Sequence, residues 1–190
     1  KVIKPSLIDQ YELGIKKDFW RGILSTNVTL YQIENSNLAQ TAEFKADGSA
    51  NTDSSIKTLS GSTKSKGVEI DITARPTTGL SIIAGYSYND MRYTKTSGLE
   101  GSFIVGDRLA RTPTNTANLS FFYTLQSGLL KGFSIGSSAN YIGKRVGGWN
   151  NQYKAAEPNG IFDRGIPLED YATVDVSAGY EWGKFSILCK

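Results

Sequence analysis

Along this 190-residue chain, stretches that alternate apolar and polar residues are joined by connections that run short, then long, then short again. About eight strands are expected, near residues 9 to 18, 22 to 35, 64 to 75, 80 to 93, 114 to 126, 131 to 145, 169 to 181 and 184 to 190. The short connections are "DFWRG", "RPTTG", "LQSGLLKG" and "YEWGK"; the long ones cover residues 36 to 63, 94 to 113 and 146 to 168. A soluble sandwich mixes turn lengths at both ends, and structureless loops of this size are uncommon in compact domains. A membrane barrel with short periplasmic turns and long outer loops has this rhythm. The expected fold is therefore all-β: an antiparallel transmembrane β-barrel segment.

The stretch "SKGVEIDITARPTTGLSIIAGYSYND" shows the pattern at residue level. Val68, Ile70, Ile72 and Ala74 alternate with Glu69, Asp71, Thr73 and Arg75. After a turn, Leu80, Ile82, Ala84, Tyr86 and Tyr88 alternate with smaller or polar residues. Each strand thus has one apolar and one polar face. Ala117, Leu119, Phe121 and Tyr123 oppose Thr116, Asn118, Ser120 and Phe122; Ala172, Val174, Val176 and Ala178 oppose Thr173, Asp175, Ser177 and Gly179. An antiparallel sheet packed on one side and wet on the other alternates in the same way. Strands of ten or so residues, beyond the usual five or six, and aromatics near strand ends (Phe19, Trp20, Trp182, Tyr86, Tyr88, Tyr141) favour lipid outside and an aqueous lumen inside.

Composition narrows the chemistry. With 21 basic and 18 acidic residues the overall charge is too balanced to argue for a nucleic-acid partner or an anionic lipid surface. No apolar run approaches the roughly 20 residues of a spanning helix, a limit that leaves β-barrels untouched. There is no His and a single cysteine, Cys189, so Ser-His-Asp and Cys-His catalysis, a disulfide within the chain and a structural zinc site are all excluded. No phosphate-binding loop or dinucleotide fingerprint is present. Glu69 and Asp71 share a strand face but read as lumen charges, and "NVT" at Asn27 and "NLS" at Asn118 fall inside strands. The chain is expected to be no enzyme and to need no cofactor.

Five ordered segments resemble the siderophore-receptor branch of the TonB-dependent outer-membrane receptors. These are "PSLIDQYELGIKKDFWRGILSTNVTLYQIENSN", the hairpin quoted above, "GDRLARTPTNTANLSFFYTL", "ANYIGKRVGGWNNQY" and "LEDYATVDVSAGYEWGKFSI". The resemblance covers nearly all the strands and breaks in the loops. It implies a share in a barrel of about 22 strands closed by an N-terminal plug. It further implies import of ferric siderophores with energy from the TonB complex acting through the plug, in contact with outer-membrane lipid. Neither plug nor TonB-contacting segment is expected within residues 1–190, which read as a single partial barrel. The chain opens "KVIKPSLIDQ" without Met, and "FSILCK" falls within a strand.

Under this resemblance the long loops are the ligand vestibule. Trp149, Tyr153 and Phe162 offer flat apolar contact to a chelate's organic shell, Arg164 can neutralise an anionic one, and Arg92 and Tyr93 stand where a strand enters its loop. The plainer role for each is to pack loops together or to sit at the lipid interface. "GKR" at Gly143 to Arg145 could meet lipid headgroups. No metal ligand is expected, because the iron arrives chelated. Two rival readings are a self-contained eight-stranded outer-membrane barrel serving as anchor or adhesin, and a soluble β-sandwich that binds carbohydrate through the same loop aromatics.

Overall fold

Alternating strands closed by tight turns zip into one antiparallel sheet. The computed structural model describes residues 5–41, 45, 47, 49–53, 55–95, 105–149 and 165–190. The strands are β1 (Leu7–Phe19), β2 (Leu24–Thr41), β3 (Lys57–Ala74), β4 (Leu80–Lys95), β5 (Asn115–Thr124), β6 (Phe133–Ile142), β7 (Arg145–Trp149), β8 (Gly165–Leu168), β9 (Tyr171–Trp182) and β10 (Phe185–Cys189). Eight of them form one sheet in the order β1-β2-β3-β4-β5-β6-β9-β10, while β7 and β8 form a separate hairpin. The eight expected strands are all found. β1 and β10 lie at opposite edges and do not pair, so the sheet is open and the eight-stranded closed barrel is not formed.

Two of the expected long loops are partly strand. β2 runs to Thr41 and β3 starts at Lys57, with a register shift between Asn35 and Leu38. Asn37 absorbs that shift in the left-handed region, at φ 59°, and its side-chain amide donates to the Pro5 carbonyl at 3.2 Å. The sequence here, "NSNLAQT" and "KTLSGST", is mostly polar, with Leu38 and Leu59 too isolated to set a period, so the ladder continues where the alternation that signals it has stopped. Likewise 146–168 contains β7 and β8, whose period is hidden by Gly147 and Gly148 at a further register shift.

The short turns are tightly made. Between β1 and β2 the chain reverses through Trp20, Arg21 and Gly22, all at positive φ, a twist that matches the flanking strands. Between β5 and β6, the Leu125 amide donates to the Phe133 carbonyl at 2.8 Å, and the Gly132 amide to the Leu125 carbonyl at 2.9 Å.

The sheet has no second layer among the described residues, and there is almost no interior. Tyr93 is the one buried large apolar side chain described, whereas Leu13, Ile15 and Val174 are 70%, 72% and 66% exposed. The accessible surface is 13417 Å²; a compact monomer of 20.7 kDa would show about 8,900 Å². A soluble sandwich buries its apolar face against a second sheet. Here that face is open.

Candidate functional site

The register places most of the strands' apolar residues on one side. Val28 pairs with Ile70, Ile70 with Tyr86, and Tyr86 with Ala117; Ala84 pairs with Leu119, Leu119 with Ala139, and Ala139 with Val174. An unbroken apolar belt results. At its short-turn margin Phe19 meets Trp20 at 6.3 Å, with the Lys17 ammonium 5.1 Å from the Phe19 ring, and Trp182 lies between Tyr180 at 5.7 Å and Phe185 at 6.0 Å. At the other margin the tyrosines reach polar partners: the Tyr86 hydroxyl donates to Asn115 Oδ1 at 2.7 Å, and the Tyr141 hydroxyl to Asp170 Oδ2 at 3.0 Å. Rings with an apolar body and a polar tip suit a boundary between oil and water.

The opposite face is polar and knitted. The Asn27 amide donates to Asp71 Oδ2 at 3.3 Å, the Ser25 hydroxyl to Asp18, and the Ser65 hydroxyl to Asn89 Oδ1 at 2.6 Å. Close strand contact depends on missing side chains. A Cβ on Gly67 would lie 2.3 Å from the Tyr88 carbonyl oxygen and 2.4 Å from Cζ and the hydroxyl of Tyr31, so the phenol end of Tyr31 takes the space over Gly67. Farther along, Ser120, Phe122, Gly136, Ser138, Asp175 and Ser177 line a groove of ≈ 670 Å³. Phe122 and its neighbour Ile83 are the apolar exceptions there, both substantially exposed.

Beyond the belt, on the long-loop side, the two halves differ. Residues 105–114 return along the exposed edge of β4. The Tyr93 amide donates to the Asp107 carbonyl at 2.9 Å, the Gly106 amide to the Tyr93 carbonyl at 2.8 Å, and the Leu109 amide to the Met91 carbonyl at 3.0 Å. Tyr93 is 3% exposed, beside buried Thr63 and Ser65 on the polar-face side of the ladder. Arg92 points the other way, sharing its face with Tyr88; its Nε donates to Asp90 at 2.9 Å and its Nη1 to the Gly106 carbonyl at 2.9 Å.

The β7–β8 hairpin stands on side-chain contacts. Lys144 pairs with Glu169 at 3.1 Å, the Arg145 guanidinium lies 5.3 Å from the Tyr171 ring, and the Arg111 amide donates to the Val146 carbonyl at 2.6 Å. The hydrogen bond from Lys144 to Glu169, then the charges of Glu169 and Asp170, hold the ammonium above its ordinary pKa. Trp149 ends β7 opposite Gly165. Tyr153, Phe162 and Arg164 lie outside the described residues. Of the six residues singled out from the sequence, Arg92 and Tyr93 are therefore neighbours on opposite faces, and Trp149 belongs to the adjoining hairpin. Arg108, whose Nη2 donates to the Asn89 carbonyl at 3.3 Å, was not anticipated. Nothing periodic marks it, because it sits in a segment that pairs without being a regular strand.

No group of acidic, His or Cys side chains among the described residues is arranged to hold a metal. What the arrangement defines is a barrel wall, apolar outside, polar inside, with built structure at one end. Residues 2–187 match the family model "TonB dependent receptor-like, beta-barrel". The chain belongs to that family. It is 28% identical over 183 residues to the ferrioxamine B receptor of Salmonella typhimurium, covering 95% of this chain and 22% of that receptor. It is also 28% identical over 156 residues to the ferrichrome outer membrane transporter/phage receptor of Escherichia coli K12, covering 80% and 19%. Among solved structures, Pseudomonas aeruginosa FpvA bound to a heterologous ferric pyoverdine superposes with a TM-score of 0.66 at 26% identity, over 95% of this chain and 22% of that one. The chain thus spans about a fifth of the length of the receptors it matches.

Proposed function

We propose that this chain is part of the wall of an outer-membrane receptor that imports ferric siderophores with energy from the TonB complex. The observation that carries the membrane seat is the apolar belt: it runs the full width of the sheet, uncovered, between two aromatic margins. Water would penalise it at about 25 cal/mol per Å², whereas lipid tails match it. β5 and β6 have 10 residues each, the 9 to 11 that a tilted strand needs to cross a bilayer. Ferrioxamine B, ferrichrome and pyoverdine, named for the relatives, are the chelates to try first.

In this reading the long-loop end is the vestibule. Trp149 at the hairpin, with Tyr153, Phe162 and Arg164 in the segment that closes it, contacts the chelate. Tyr93 supports the vestibule wall from its buried position, and Arg92 faces outward. The test is equilibrium binding of the three chelates to the full-length receptor in detergent. A W149A/R164A variant is expected to bind its chelate about tenfold more weakly, the loss of an aromatic contact and a charge-assisted one. Unchanged affinity would remove those two residues from the site. Failure of all three chelates to bind, or import that continues without TonB, would overturn the reading itself.

A further inference from the structure

Above the apolar belt, on its own side of the sheet, four basic residues crowd together. Glu34, Lys64, Arg92 and Arg108 occupy successive register positions across β2, β3, β4 and the return segment, and Lys66 stands in the next row beside Asp90. Like charges directly opposite in a ladder repel. Among the described residues, two carboxylates pair with these four cations. Lys64 pairs with Glu34 at 3.1 Å, and Asp90 is shared by Arg92 at 2.9 Å and Arg108 at 3.6 Å. No ion pair joins Lys66 to any described residue. Asp9, opposite Glu34, lies two strands from Lys64, about 10 Å away. The patch therefore carries uncompensated positive charge on an outward surface.

Its position identifies the partner. The row directly beneath is Leu30, Val68 and Tyr88, where the apolar belt begins. A molecule lying here meets cations with its head and aliphatic side chains with its tail. The arginines are already braced, Arg92 by Gly106 and Arg108 by Asn89, so little ordering remains to be done on binding. Arg forks and Lys ammonium groups together suit phosphate oxygens.

We infer that the outward face formed by Lys64, Lys66, Arg92 and Arg108 is a binding site for the phosphate headgroup of a membrane lipid whose acyl chains lie along Val68 and Tyr88. This rests on the belt's seat in a bilayer and not on the siderophore reading. It also moves headgroup recognition from the Gly143 to Arg145 stretch to a different pair of strands.

The experiment uses the full-length receptor in phosphatidylcholine nanodiscs doped with phosphatidic acid, whose headgroup is a phosphate monoester, or with diacylglycerol, which has the same tails. Native mass spectrometry counts the dopant retained after release. Wild type is expected to retain phosphatidic acid and release diacylglycerol. Retention should fall about fivefold for each cation removed in K66Q and then K64Q/K66Q/R108Q, and recover in K66R. Because Lys66 makes no ion pair, K66Q tests the site without threatening the fold. Equal retention of both dopants, or variants indistinguishable from wild type, would overturn the proposal. So would displacement by an equal concentration of inorganic phosphate, which would mark an anion site indifferent to lipid. A receptor that stays monodisperse without detergent would instead sink the bilayer seat on which the proposal rests.

Discussion

The two halves of the sheet solve the same problem to different heights. β2, β3 and β4 run 18, 18 and 16 residues, so they cross the apolar belt and continue well past it as one hydrogen-bonded wall. β5 and β6 stop at 10 residues and β9 at 12, and what rises above them is a hairpin with its own small sheet. The tall wall is continuous with the barrel and braced by residues 105–111 along its edge. Among the described residues the hairpin is tied by the Lys144–Glu169 ion pair, by the Arg145 guanidinium, which donates to the Glu169 carbonyl and lies against the Tyr171 ring, and by the Arg111 to Val146 backbone bond. A ladder transmits strain along its whole length, whereas a few exposed side-chain contacts let go one by one. The comparison separates rigid scaffold from adaptable element.

The largest expected effect comes from breaking the belt that both halves share. Leu119→Arg, at mid-height of β5, should destabilise the inserted barrel by about 2–4 kcal/mol in lipid unfolding titrations, while Ser36→Arg, above the belt on the tall wall and opposite Leu7, should cost almost nothing. If both cost the same, the belt has been placed at the wrong height. Next is packing within each half. Gly67→Ala forces a methyl group against the Tyr88 carbonyl and Tyr31, an overpacking of about 1–3 kcal/mol. Gly148→Ala in the hairpin, where a Cβ meets only Ile166 at 3.9 Å, should be silent in the same assay.

A smaller effect is expected inside the tall wall. Thr63 Oγ1 is buried with no hydrogen bond, so Thr63→Val should stabilise by about 1 kcal/mol, a gain that equilibrium unfolding can resolve. The smallest belongs to the hairpin base. Removing Lys144 or Glu169, each more than 70% exposed, should leave the unfolding midpoint in place and only speed hydrogen exchange in β7 and β8, an effect that salt should mimic in wild type. Lys144 titrates above its usual value because Glu169 favours its charged form. The pair is therefore complete below the ordinary lysine pKa of 10.5 and is lost only as pH rises through the raised one. Protection of the hairpin amides, taken relative to their base-catalysed intrinsic exchange, should then be constant through neutral pH.

How much of this was legible depended on whether a face changed polarity. Where Val68, Ile70 and Ile72 alternate with Glu69 and Asp71, strand, partner and face all follow from the residues, and the structure agrees. Past Asn35 and before Lys64 the sequence is mostly polar, so the alternation fades while the hydrogen bonds persist, and these extensions of β2 and β3 read as loop. The return segment could not be read at all. Its ladder to β4 is made backbone to backbone, indifferent to whether Asp107 or any other residue supplies the bonds, and the Arg92 and Arg108 side-chain bonds that reinforce it follow no periodicity. Arg92 and Tyr93 read as a pair at a loop end, but adjacency in a strand means opposite faces, and the ladder separates an outward cation from a buried ring.

One small feature has a long reach. The β6–β9 ladder closes at the pair Ile142 and Tyr171, and the hairpin starts only at Arg145 and ends at Leu168. Nothing in the barrel's register is counted through residues 145–168. The hairpin can lengthen, shorten or be exchanged by mutation while every strand below keeps its partner. Asn37 gives the tall wall a comparable slip point. A lineage under pressure to change this surface can rewrite these modules while the wall that carries them stays fixed.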